Sequence, residues 1–408
     1  MRKILSFLFF ALFTLSTWGQ TINVVKGQVT ETFTAKPDEM AFCCGTRVNI
    51  QGRDYPVSDI SKIYIDDSQV IENTVEVSYN GNSASVRMPG DIAPYLTGSV
   101  SDAYVKILQS DNLDFELNYV LSGNSTNGSF VMDGRFKATV TLNGISLNND
   151  TTAAINILNG KRINIIVADG TTNTFSDGAN GTQKACFFVN GHAEFSGNGT
   201  INLTGNSRHA YRSDEYTIFK NSFGGHFNVT RSVADAMRVE QYLDVRNGTF
   251  SLKGNAGDGI DVAFTNNPAD TLNGYAFISG GTFDIEVNTA DTKGIKSDTT
   301  MEITGGTFRI NVVGNGCKGI KSGGKLTISG GDITMKVSGT THDKGLITEA
   351  KCRGIKVDHD FTFRDGNIQM TVTGEKAKAI KVDGIYYYTS TAKTNCTVDA
   401  DGGAKKIN

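Results

Sequence analysis

The chain repeats a short charged motif whose chemistry suits the binding of anions. Four copies have nearly the same form: Lys293-Gly-Ile-Lys296, Lys318-Gly-Ile-Lys321, Arg353-Gly-Ile-Lys356 and Lys378-Ala-Ile-Lys381. Each copy carries two cations separated by two small or apolar residues. If the copies stack, the cations form two columns, the first with Lys293, Lys318, Arg353 and Lys378 and the second with Lys296, Lys321, Lys356 and Lys381. Aligned positive charges focus potential towards anionic ligands, so the columns predict a track for a repeating polyanion.

Two further copies of the motif carry acids. They are Asp235-Ala-Met-Arg238 and Asp258-Gly-Ile-Asp261. Carboxylate oxygens from neighbouring copies are hard ligands of the kind that calcium prefers. Asp235, Asp258 and Asp261 are therefore the predicted calcium site, and three exposed turn acids without a metal are the alternative.

The segments between the motifs are predicted to form short strands. In Met301-Glu-Ile303 and Phe308-Arg-Ile310 apolar residues alternate with polar ones, which is strand periodicity, and glycine pairs such as Gly305-Gly306 mark the turns. Internal repeats with a period in the twenties are typical of a solenoid. The predicted fold is all-β, a right-handed single-stranded parallel β-helix with a small N-terminal β module. Two interior columns are expected, one of Ile260, Ile295, Ile320, Ile355 and Ile380 and the other of Phe250, Phe283 and Phe308.

The first residues predict export. A basic start, an apolar run from Ile4 to Leu15 and the small residue Gly19 before Gln20 are typical of a secretory signal peptide over 1–19. The predicted divisions that follow are an N-terminal β module and cap over 20–125 and the repeat domain over 126–408. No later apolar run is long enough to cross a membrane. We expect an exported monomer in the periplasm, at the cell surface or outside the cell.

The chain also resembles a known family. The resemblance rests on Val140-Thr-Leu-Asn-Gly-Ile145, on the segment from Val167 to Gly178, and on repeated Gly-Ile followed by Ser-Gly-Gly. These residues are similar to secreted carbohydrate-binding domain-containing parallel β-helix proteins, including a calcium-associated, polygalacturonate-binding clostridial cell-surface type. In that family the motif usually begins with Asp, and stacked Asp residues hold calcium. Here Asp235, Asp258 and Asp261 match that pattern. In the other copies a lysine or arginine of the first cation column occupies the position where the family has Asp.

The predicted function is non-catalytic recognition of an acidic polysaccharide, either uronate-rich or sulfated. Export argues against nucleic acid as the partner. A neutral glycan fits less well, because Trp18 is the one tryptophan and it leaves with the signal peptide. No catalytic residue is assigned. The alternatives are a calcium-dependent lyase of polyuronates with Lys293 or Lys296 as base, an adhesin-like surface solenoid that binds protein, and a solvated face whose lysines pair with turn acids such as Asp298 and Asp358.

Two interpretations of Cys317 and Cys352 remain possible from the sequence. Cys317 and Cys352 each lie two residues before the central glycine of consecutive motif copies, so they should stack. A disulfide between them and a pair of buried thiols are both compatible with that position.

Overall fold

The structure is a computed structural model that describes residues 19–36, 39–43, 45–265, 267, 269–343, 345, 349–391, 396–400 and 405–407. The predicted signal peptide lies outside the described residues except for Gly19, and so does Cys44. The first ten strands are β1 (Thr21–Lys26), β2 (Val29–Thr34), β3 (Met40–Cys43), β4 (Arg47–Ile50), β5 (Arg53–Pro56), β6 (Lys62–Asp66), β7 (Thr74–Asn80), β8 (Ser83–Pro89), β9 (Leu96–Ser101) and β10 (Tyr104–Gln109). Two 3₁₀ turns interrupt them, at Val57–Asp59 and Ala93–Tyr95.

The remaining strands carry the repeats. Strands β11 to β25 are Leu117–Ser125, Ser129–Asp133, Ala138–Asn148, Ile155–Ile157, Ile163–Val167, Thr172–Ser176, Ala185–Val189, Ala193–Gly197, Thr200–Gly205, His209–Ser213, Thr217–Phe223, His226–Ser232, Met237–Glu240, Tyr242–Val245 and Thr249–Leu252. Strands β26 to β41 are Ile260–Ala263, Tyr275–Ile278, Thr282–Val287, Lys293–Ser297, Met301–Ile303, Thr307–Val312, Lys318–Ser322, Leu326–Val337, His342–Asp343, Glu349–Ala350, Arg353–Val357, Phe361–Val372, Lys378–Val382, Tyr386–Tyr388, Cys396–Ala400 and Lys405–Ile407.

The N-terminal strands pair mainly antiparallel. β1 lies between β2 and β6, and β3, β4 and β5 form a separate three-stranded sheet. Ile22, Val24, Phe33, Val48, Ile50 and Tyr55 form a small apolar cluster there. A much larger core begins at Val75 and continues to Val382. The division at residues 125 and 126 stays a prediction.

From β11 onward successive repeats pair in parallel. Their strands belong to two large sheets, one of 23 strands and one of 13. The charged motifs lie in the 13-stranded sheet, where β26, β29, β32, β36 and β38 are neighbours in that order. Equivalent motif residues therefore come within one strand spacing of each other, about 4.8 Å.

The predicted interior columns are confirmed. Ile260 pairs in register with Ile295, and the series continues through Ile320, Ile355 and Ile380, all fully buried. The ring of Phe283 stacks on Phe250 at a centroid distance of 4.8 Å and on Phe308 at 4.7 Å. Each repeat thus covers the apolar side chains of the next.

The predicted fold class is wrong. In place of an open, right-handed single-stranded parallel β-helix solenoid, the all-β structure has fourteen parallel strands closed into a barrel, with extra strands outside it. The repeats specify which residues of successive segments pair with one another. They do not specify whether the resulting sheets stay open or close, because both arrangements alternate inward apolar and outward polar side chains.

Candidate ligand-binding surface

The first cation column is aligned as the sequence predicts. Lys293 pairs in register with Lys318, Lys318 with Arg353, and Arg353 with Lys378. Lys293, Lys318 and Lys378 are half-buried, whereas Arg353 is only 8% exposed. Arg353 donates from Nη1 to the carbonyl oxygens of Cys352 and Lys376, so its guanidinium group is used in hydrogen bonds to the backbone. The accessible cations of this column are therefore its three lysines.

Among the described residues, few acids lie at ion-pair distance from Lys293, Lys318 and Arg353. Lys293 Nζ lies 3.8 Å from Asp258 Oδ1. Lys318 Nζ donates instead to the carbonyl oxygen of Gly316 at 2.6 Å, and within the described ranges neither Lys318 nor Arg353 has a carboxylate at ion-pair distance. Burial and the charge of Lys293 lower the pKa of Lys318 below its usual range. Lys318 therefore carries a positive charge that a bound anion would neutralise.

The second column is different, because a row of acids neutralises it. Lys296 Nζ lies 2.9 Å from Asp261 and 2.8 Å from Asp298. The pattern continues along the sheet: Lys321 pairs with Asp358, Lys356 with Asp358 and Asp383, and Lys381 with Asp383. Although burial opposes the effect, the charges and hydrogen bonds of Asp261 and Asp298 raise the pKa of Lys296. For this column the geometry matches the alternative of lysines paired with turn acids.

The second column extends further than the predicted residues. Arg212 pairs in register with Arg238, and Arg238 with Asp261, which precedes Lys296. Arg212 donates to Asp214 and Glu240, each at 2.6 Å. The sequence contains a signal for this row, since an acid follows the cation by two residues in Arg212-Ser-Asp214, Arg238-Val-Glu240, Lys296-Ser-Asp298, Lys356-Val-Asp358 and Lys381-Val-Asp383.

The three acids predicted to bind calcium lie together. One carboxylate oxygen from each of Asp235, Asp258 and Asp261 falls within 4.8 Å of the others. Asp235 Oδ1 accepts a hydrogen bond from the backbone N–H of Asp258 at 2.7 Å. Burial raises the pKa of Asp258 to about 7; Lys293 opposes this rise, whereas the charges of Asp235 and Asp261 add to it. The cluster therefore concentrates negative charge in a place that water reaches poorly.

These donors fit calcium in chemistry and spacing, but basic side chains already contact them. Arg238 and Lys296 both pair with Asp261, and His209 Nδ1 lies 3.2 Å from Asp235. Calcium usually takes six to eight oxygen ligands, more than three carboxylates offer singly. Asp235, Asp258 and Asp261 would hold the ion by charge, and Arg238 and Lys296 would compete with it for Asp261.

Cys317 and Cys352 are free thiols in this structure. Cys317 Sγ donates to the carbonyl oxygen of Thr289 at 2.8 Å, and Cys352 Sγ to that of Thr340 at 3.0 Å. Burial raises the pKa of Cys352 to about 11. Of the two readings that the sequence left open, the geometry matches a pair of buried thiols.

Comparison with known proteins identifies a family that the sequence matches. A family model described as "Carbohydrate-binding domain-containing protein" matches residues 101–347, more than half of the chain. The chain belongs to this family. The region matched in this carbohydrate-binding domain protein contains the acidic cluster together with Lys293, Lys296, Lys318 and Lys321, and it ends before Arg353.

A structural comparison finds one distant likeness. The polysaccharide lyase-like protein from C. thermocellum, solved as a gadolinium derivative, is 16% identical over 82% of this chain and 100% of that chain, with a TM-score of 0.35. No curated protein matches this carbohydrate-binding domain protein. Among its described residues there is no helix that is both long and apolar enough to span a membrane.

Proposed function

We propose that this carbohydrate-binding domain protein is exported and binds acidic polysaccharide without cleaving it. The ligand would lie along the first cation column and contact Lys293, Lys318 and Lys378. The observation that carries this proposal is the parallel register that places Lys318 next to Lys293, with no carboxylate of the described residues at ion-pair distance from Lys318. Like charges in neighbouring strands repel, and an anionic ligand removes that cost.

The second column would play a supporting part. Lys296, Lys321, Lys356 and Lys381 already have carboxylate partners, so a ligand would have to compete with Asp298, Asp358 and Asp383 for them. We infer that the second column aligns the strands and sets the local field. Direct contact with glycan carboxylates or sulfates falls mainly to the first column, because Lys318 has no carboxylate of the described residues at ion-pair distance and that of Asp258 is 3.8 Å from Lys293.

A repeating anion suits this spacing better than a small one. Each added sugar acid can meet a further cation of the column, so affinity should grow with chain length through multivalency. Individual exposed contacts are weak, about 0.2–1 kcal/mol each. Polyuronates of the polygalacturonate type and sulfated glycans both offer the required negative repeat.

Calcium would act beside the glycan surface. We propose that Asp235, Asp258 and Asp261 bind it weakly and that the ion relieves the repulsion among these three buried or half-buried carboxylates. The lysine column begins one strand further on, at Lys293. On this account calcium stabilises the folded repeats, and glycan binding survives its removal.

The direct test compares glycan classes at two salt concentrations. Polygalacturonate, heparin and a neutral glucan are titrated by calorimetry into residues 20–408, and free unsaturated uronate is assayed in parallel. We expect binding of both anionic polymers, none of the glucan, and a loss of affinity at 1 M salt, where the Debye length is about 3 Å. Equal binding of the neutral glucan, or release of unsaturated uronate, would overturn the proposal.

A further inference from the structure

A second basic surface lies far from the two cation columns. Residues Arg135, Phe136, Lys137, Lys161 and Arg162 line an open cleft of about 360 Å³. It is formed by the connection between β12 and β13 and by the connection between β14 and β15. In the 13-stranded sheet, β14 lies five strand spacings from β29, which is roughly 24 Å. A ligand of a few sugars cannot touch both surfaces at once.

The cleft holds one fixed cation. Arg162 donates from Nη2 to Glu116 Oε2 at 2.8 Å and from Nη1 to Asn164 Oδ1 at 2.9 Å. Glu116 also accepts hydrogen bonds from Thr139 and Asn164. These bonds position the guanidinium group before any ligand arrives, which reduces the entropy lost on binding.

The other cations of the cleft are more loosely held. Lys161 is exposed and has no ion-pair partner in the described part of the chain. Arg135 Nε lies 3.2 Å from Asp111, but both side chains are more than 70% exposed, so this pair is strongly screened. Lys137 Nζ is 3.7 Å from Glu116. Four cations face two carboxylates, which leaves a net positive charge.

An aromatic ring lies among these cations. Phe136 is half-buried, and Lys137 Nζ lies 5.9 Å from its ring centroid. Along the same corner of the fold, His192 stacks on Tyr216 at 4.2 Å, and Tyr216 on Tyr242 at 4.8 Å, so those rings cover one another. Phe136 is outside those stacked pairs and is the aromatic residue among those that line the cleft.

We propose that this cleft is a second binding site, for a single anionic sugar unit or a short chain end. The carboxylate or sulfate of the sugar would bind Arg162 and Lys161, and the apolar face of its ring would lie on Phe136. The pairing of a fixed guanidinium group with an aromatic surface suits a ligand that has a charged edge and an apolar face. This site differs from the first cation column in its ligand, because it needs a single sugar acid and the column needs a repeating polyanion.

The test uses a short ligand and a matched control. Trigalacturonate, inorganic sulfate and maltotriose are titrated by calorimetry into the full mature chain, into Arg135→Glu/Lys161→Glu, and into Lys325→Glu/Lys336→Glu. The control changes the net charge equally at two exposed lysines outside the cleft. We expect the cleft variant to bind trigalacturonate at least tenfold more weakly than the control does. Equal affinity in the two variants, or binding of maltotriose as tight as that of trigalacturonate, would overturn the site.

A third variant tests the part assigned to the ring. Phe136→Leu should weaken trigalacturonate binding several-fold and leave the weak binding of sulfate unchanged, because sulfate has no ring to stack. Repeating the titrations in a Lys293→Gln/Lys318→Gln background separates the two surfaces. Persistence of cleft binding there supports a separate site, and its loss would show that the short ligand binds the column. Circular dichroism melts check that every variant is folded.

Discussion

The backbone N–H of Lys293 donates a hydrogen bond of 2.8 Å to Oδ1 of Asp258. This contact joins the last acidic copy of the motif to the first basic copy, because β26 pairs with β29. Asp258 also lies near the Lys293 side chain and partly neutralises it. The next cation, Lys318, is one strand further on, and no carboxylate of the described residues lies at ion-pair distance from it.

Asp258 should make stability depend on pH. Its pKa of about 7 lies above the ordinary 3.8 because burial disfavours the carboxylate. A carboxyl group with a raised pKa in the folded state stabilises the fold below pH 4 and loses this effect as the pH rises to 7. With a calcium chelator present, we compare the free energy of unfolding of the parent with that of Asp258→Asn. Between pH 4 and pH 7 the value for the parent should fall by at most about 4 kcal/mol more than the value for the variant. Urea unfolding measures it, and parallel pH profiles would contradict the assignment.

Calcium should bind the acidic cluster weakly. The competition from Arg238 and Lys296 for Asp261 leads us to expect a dissociation constant on the order of 10⁻⁴ M or weaker, by calorimetry. Asp258→Asn/Asp261→Asn should abolish the heat of calcium binding without weakening the binding of polygalacturonate, because both changes remove an acid that pairs with a column lysine. If that double variant takes up as much calcium as the parent, these carboxylates are not the ligands.

Removing the neutralising acids should strengthen glycan binding. In Asp298→Asn/Asp358→Asn the second column loses carboxylates that contact Lys296, Lys321 and Lys356. Exposed ion pairs contribute about 0.2–1 kcal/mol, so we expect polyuronate affinity to rise about two- to fivefold with a small change in melting temperature. Affinity electrophoresis checks this, with Asp332→Asn/Asp365→Asn, at two acids outside both columns, as the control. An unchanged or lower affinity would show that the second column does not contribute.

The buried thiols should react slowly. Cys317 and Cys352 are fully buried, and burial raises the pKa of both thiols. Because the thiolate is the reactive form, we expect alkylation of exposed Cys43 well before either residue in the native protein, and rapid alkylation of all three in urea. Peptide mass spectrometry follows the three sites. A native protein in which Cys317 and Cys352 are linked would refute the free-thiol geometry.

Much of the local arrangement follows from the sequence. The repeats placed Ile295 beside Ile320 and Lys293 beside Lys318, because equal positions in successive copies must pair when the intervening strands are of similar length. Closure of the barrel could not be predicted in this way, since it depends on how strands that are far apart in the sequence come together. The neutralised second column was visible in part, through acids such as Asp298 that follow a lysine by two residues.

The basic cleft was beyond sequence reasoning. Arg135 and Lys161 are 26 positions apart and belong to connections without a charged motif. Their proximity arises only when β12 pairs with β14. Likewise, the burial of Arg353 depends on backbone carbonyls that no residue pattern reveals.

The most direct test of the account measures how tightly polygalacturonate binds when the first column loses its charge. Lys293→Gln/Lys318→Gln is compared by calorimetry with Lys106→Gln/Lys336→Gln, which removes equal charge from two exposed lysines elsewhere. Loss of two contacts in a multivalent track should weaken binding about five- to tenfold in the column variant and little in the control. Equal affinity of the two variants at low salt would contradict the claim that the first column binds acidic polysaccharide.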